Sequence, residues 1–83
     1  MARQTKRNDA KMPLAMVNEG EKVRVTAVTG AESMRKHLGA LAIIPGAILT
    51  VMHKSGENMI LGVHDSRIAI GEDVSHHVMV QAI

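Results

Sequence analysis

This chain of 83 residues contains no cysteine and no phenylalanine, tyrosine or tryptophan. Without cysteine it can build no disulfide scaffold, thiolate zinc site, iron–sulfur cluster or cysteine nucleophile, a composition that suits a reducing compartment. Without aromatic rings it cannot stack the bases of single-stranded nucleic acid, nor line a groove for polyproline ligands, in the usual way. Long apolar runs are missing too. The 15 residues from Leu38 to Met52 carry no charge, yet a bilayer span takes about 20 apolar residues and would not hold Pro45-Gly46 at its centre. Met1 to Lys11 lacks the apolar region of a secretory signal.

Catalytic signatures are absent as well. The chain has no Walker loop, no Gly-x-Gly-x-x-Gly loop and no nucleophile elbow, and Ser33, Ser55, Ser66 and Ser75 belong to no motif that joins them to a base. Glu72-Asp73 reads as a solvated turn rather than a converging carboxylate pair. A domain of this size buries only about 60% of its unfolded surface, so a large enclosed cavity is not expected. These exclusions point to a small binding or adaptor module, not an enzyme.

The formal net charge of +2 is unevenly spread. Residues 1–11 hold Arg3, Lys6, Arg7 and Lys11 against Asp9, which is +3, whereas residues 12–83 hold six Lys/Arg against seven Asp/Glu, which is −1. The division is therefore a disordered basic tail over 1–11 and one folded domain over 12–83. Such an arm could meet nucleic acid or anionic lipid.

What is present is aliphatic and strand-like. Pro13 to Val17 is a short apolar lead-in, Asn18 to Glu21 a turn, and Val23 and Val25 alternate with Lys22, Arg24 and Thr26 as in a half-buried strand. After Thr29-Gly30, Met34, Leu38 and Leu41 fall at i, i+4 and i+7, the stripe of a three-turn helix over about residues 31–41. Pro45 and Gly46 then reverse the chain, with Gly46 taking positive φ. Ala47–His53 and Asn58–His64 form a hairpin about the loop 54–57, which sets His53 opposite Asn58 and His64 near Ala47. Asp65-Ser66 turns into a strand at 67–70, Gly71-Glu72-Asp73 breaks it, and Val78 to Val80 closes the chain. Five to six short strands around one helix predict a small, strongly bent β-barrel, since closure removes exposed edges.

The order of Glu19-Gly20, Val25, Arg35-Lys36-His37-Leu38, Leu41-Ala42-Ile43-Ile44-Pro45-Gly46, Leu49-x-Val51, Gly56, Ile68-x-Ile70 and Val78-x-Val80 resembles the FeoA family, ferrous iron transport protein A, over residues 12–83. The resemblance implies an SH3-like barrel in the cytoplasm, without catalysis or resident cofactor. It implies an accessory to FeoB, the GTPase-linked Fe(II) permease, with membrane contact only through that partner and no small-molecule substrate. The same fold also occurs as a domain of diphtheria-toxin-repressor-type regulators. Ala42 stands where the family usually has Gly, Gly71 where it has Arg, Asp65 where it has a turn Gly, and Val74-Ser75 where Glu-Ala is common.

Two sets of residues are candidates for function. The exposed helix flank Arg35, Lys36 and His37, with Met34 and Leu38 beside it, is the candidate partner-binding surface, although Met34, Leu38 and Leu41 also fit a core stripe. Met16, Met52 and Met59 could add adaptable apolar contacts. His76 and His77 are the candidate metal ligands, either for transient Fe(II) or another divalent ion or across subunits in a metal-dependent oligomer; solvated loop histidines are the ordinary reading, because spacing places no third ligand. Self-association stays open. The other functional reading is a small nucleic-acid-binding or transcription-regulating barrel that uses the basic arm, against which the acidic body and missing aromatics count.

Overall fold

In the computed structural model, which describes residues 11–83, the alternation around Lys22 becomes a strand with Val23 and Val25 inside and Lys22 and Arg24 outside. It is β2 (Lys22–Val28), one of six antiparallel strands with β1 (Lys11–Pro13), β3 (Ile48–Lys54), β4 (Asn58–Val63), β5 (Ser66–Gly71) and β6 (Val78–Ala82). They hydrogen-bond in the order β1-β6-β2-β3-β4-β5. Helix α1 (Glu32–Ala40) follows β2, a short α2 (Glu72–Ser75) follows β5, and a 3-10 turn (Leu14–Met16) follows β1. The expected mainly-β architecture with one main helix is present. Residues 1–10, which make up most of the expected basic tail, lie outside the described residues. Lys11, assigned to that tail, instead opens β1 because its backbone pairs with Gln81.

Two register shifts bend the sheet, between Val25 and Ala27 on β2 and between Val51 and His53 on β3. Each inserts a residue on one strand, which increases local twist and lets a short sheet curl around its own side chains. The interior is wholly aliphatic apart from Met59 and Ser75, with Leu14, Leu38, Leu49, Val51, Leu61, Val78 and Val80 fully enclosed. Leu14 and Val17 bracket the 3-10 turn and close one end of this core. Ser75 is buried in place of a small apolar residue, and its hydroxyl donates to the Glu72 carbonyl at 2.6 Å, so no polar atom is stranded.

Helix α1 ends as Ala42 requires. The Ile43 amide donates to the Leu38 carbonyl at 2.9 Å and the Ala42 amide to the Gly39 carbonyl at 3.0 Å, while Ala42 takes φ 67. These are the paired bonds of a Schellman C-cap, with buried Leu38 and Ile43 supplying its apolar contact. Alanine thus occupies the left-handed position usually held by glycine, at a steric cost of about 1 kcal/mol. Ala42→Gly is expected to stabilise the fold by about that amount, which raises the melting temperature of a domain this size by about 4–8 °C. A thermal melt of the two proteins checks it, and an unchanged or lower midpoint would contradict the strain.

Both hairpins close one residue away from where the sequence places them, with their loops at 55–58 and 64–65. Lys54 pairs with Met59 and His53 with Ile60, not with Asn58, because the Ser55 amide donates to the Asn58 carbonyl at 2.9 Å and draws Lys54 into the strand. The bulge after Val51 then restores Leu49 and Val51 to the core opposite Val63 and Leu61. In the β4–β5 turn, Val63 pairs with Ser66, which leaves a two-residue loop whose first residue, His64, has φ 55. The positive φ falls on His64 rather than Asp65, since two-residue hairpin loops demand it at their first position. At the Pro45 corner Gly46 takes φ 94, as expected.

Candidate functional site

The helix flank is only partly a surface. Arg35, Lys36 and His37 are exposed, with Lys36 Nζ 3.8 Å from the Glu32 carboxylate one turn back. Such an exposed pair contributes little to stability. Leu38, however, has no exposed area and Met34 is half-buried against the core. Leu38 must be withdrawn from the partner-binding set, because the stripe at i, i+4, i+7 faces the barrel. Met59 is likewise buried at 3%, whereas Met16 and Met52 remain open.

The two adjacent histidines diverge. His76 Nε2 lies 3.8 Å from the Glu72 carboxylate on α2, while His77 turns under the β2–α1 connection, its Nδ1 3.3 Å from the Thr29 hydroxyl. The Thr29 amide donates to the His77 carbonyl at 2.7 Å, so His77 fastens a turn. A third histidine, His53, lies 3.2 Å from the Glu19 carboxylate, and that same carboxylate accepts the Lys54 amide at 2.7 Å. Glu19 therefore ties the β1–β2 loop to β3, where the Gly20 amide also donates to the Val51 carbonyl at 2.7 Å. Among the described residues no three His, Cys, Asp or Glu side chains come together as a metal-binding group.

A surface that sequence reasoning missed lies on the outer face of the sheet. Every Asp and Glu of the described chain sits in a turn, loop or helix, and each Lys or Arg within a strand, namely Lys11, Lys22, Arg24, Lys54 and Arg67, is a cation on an acid-free ladder. Lys54 is engaged, its Nζ donating to the Ala15 carbonyl at 3.0 Å. Across the strands, Lys22 pairs in register with Thr50, Thr50 with Gly62 and Gly62 with Arg67. This single row forms the floor of an open groove of about 590 Å³, with Ile48 and Met52 on its sides. Gly62 keeps the floor low, because a Cβ there would stand 3.3 Å from the Met52 sulfur that covers it. Ile48 and Met52 are 38% and 43% exposed, and among the described residues no carboxylate lies within ion-pair distance of Lys22 or Arg67. Cationic ends around an apolar middle make a place that can bind a partly apolar, anionic group. The signal for it, strands without a single acid, stands in the sequence but becomes a patch only when the register is known.

The FeoA domain family model matches residues 12–82. The fold superposes on the crystal structure of an iron uptake regulatory protein (FeoA) with a TM-score of 0.84 and 28% identity, covering 89% of this chain and all of the other. It superposes on the FeoA protein of Chlorobium tepidum with a TM-score of 0.81 and 19% identity, covering 87% of this chain and 70% of that one. A manganese-dependent transcriptional repressor shares the fold at 12% identity and a TM-score of 0.82, but this chain covers only 42% of it and 88% of itself is matched. No curated protein matches the sequence. Among the described residues no helix is long and apolar enough to cross a membrane.

Proposed function

The chain belongs to the FeoA family, and from that premise we propose that it is a cytoplasmic accessory protein of ferrous iron uptake, which docks on the cytoplasmic region of a FeoB-type GTPase-permease and modulates Fe(II) transport. The observation that carries the reading is the family match, which spans 71 of the 73 described residues. Among the described residues an aliphatic core beneath an open surface groove suits an adaptor, because a surface and not an interior site would supply the chemistry.

Modulation then requires differential binding. A protein that bound every conformation of the permease equally would shift nothing, so the adaptor must prefer one nucleotide-linked state. A pull-down of the cognate permease's cytoplasmic region on this protein, with and without GTP, is expected to recover different amounts in the two conditions. Equal recovery would exclude selection of a nucleotide state, and no recovery in either would remove direct docking.

A further inference from the structure

We infer that the outer face of the sheet between β2 and β5 docks an extended, acidic segment of a protein partner, which sets carboxylates on Lys22 and Arg67 and an aliphatic side chain between Ile48 and Met52. That this partner is the permease rests on the function proposed above; the chemistry of the groove does not.

The choice of occupant follows from charge, width and lining. Lys22 and Arg67 stand at the two ends of one cross-strand row and lack a carboxylate partner among the described residues. Anionic groups are what they can receive, and the planar guanidinium of Arg67 suits a carboxylate in particular. The row covers three strand spacings, about 14 Å, so one phosphate or other small anion cannot reach both ends. About four residues of extended chain cover that distance. Between the cations lie Ile48 and Met52, which a nucleic-acid backbone has no use for, and the groove offers no ring on which a base could stack. Met, unbranched and adaptable, can instead fold over an incoming aliphatic side chain. Asp65, at the Arg67 end, is the one acid lining the groove, and a uniform polyanion running through it would meet like charge there.

The test uses the whole chain labelled for NMR and a synthetic peptide built on Glu-Ser-Val-Ser-Glu, whose alternate residues set two carboxylates and the valine on one face of an extended chain. The amide signals of Lys22, Thr50, Gly62 and Arg67 are expected to shift on titration. A double reversal, Lys22→Glu with Arg67→Glu, is expected to weaken binding by about tenfold or more, while Lys36→Glu on α1 changes it less than about twofold. All three side chains are exposed, and circular dichroism verifies that the variants fold. Shifts centred on α1, undiminished binding by the double variant, or equal shifts of the same amides by a single-stranded oligonucleotide would each overturn the assignment. The same variants are then mixed with the permease's cytoplasmic region. If the wild type binds it and the double reversal binds as well, the groove assignment falls and the function stands. If the peptide occupies the groove and the permease does not bind, the function falls and the groove stands.

Discussion

Leu38→Ala is expected to lower stability by about 2–5 kcal/mol, the range for removing a large aliphatic side chain from a packed interior. Leu38 has no exposed area, packs with Ile43 under the α1 C-cap, and its carbonyl accepts the Ile43 amide that closes the cap. Truncation therefore opens a cavity at the point where helix, corner and sheet meet. Small domains hold about 5–15 kcal/mol in total, so the melting temperature should fall by more than about 10 °C. Lys36→Ala, two residues earlier on the exposed face, should stay within about 0.5 kcal/mol. Denaturant unfolding of both proteins measures the contrast. Were Leu38→Ala as stable as Lys36→Ala and defective only in partner binding, Leu38 would be a contact residue and not core.

Gly30→Ala should be the next most damaging change, at about 1–3 kcal/mol from backbone strain alone. Gly30 has φ +102, beyond the left-handed well that other residues visit, and it sits where β2 hands over to α1. An added Cβ would also stand 3.2 Å from His77 Nδ1 and 3.3 Å from the Met34 sulfur. Gly46→Ala is the matched comparison, because Gly46 has φ +94 with nothing within 4 Å of a Cβ. Gly30→Ala is expected to cost more than Gly46→Ala and to move the His77 ring signals in NMR. Equal losses with unmoved His77 signals would mean that the contact around Gly30 is slack.

Much of the fold could be read from local pattern, and most of the site could not. The alternation at 22–25, the apolar stripe of α1 and the Pro45-Gly46 corner each encode one element, and each element formed. Hairpin register was harder, because it depends on how tightly Ser55 to Asn58 closes and on a bulge at Met52, neither of which leaves a residue signature. Asp65 stands where a turn glycine is usual, yet the one-residue shift of the loop puts the positive φ on His64. Leu38 was ambiguous for a physical reason: a helix facing a core and a helix facing a partner have the same period. Adjacent His76 and His77 looked like a pair, but a helix end and a strand start send them to Glu72 and Thr29. The row from Lys22 to Arg67 draws on four strands spread over 46 positions of the chain, so only folding makes it one surface.

The acid-free ladder also bears on how this sheet would meet its own copies. Among the described residues its two end strands are β1, which carries Lys11 and Pro13, and β5, which carries Arg67. Unpaired edges are templates for strand addition, and cations and proline are what keep them from templating. Two molecules meeting edge to edge would bring basic strand against basic strand, and at β1 they would meet a proline that has no amide to share. The same distribution of charge that leaves Lys22 and Arg67 without an acid beside them in the strands thus works against strand addition between copies of the chain.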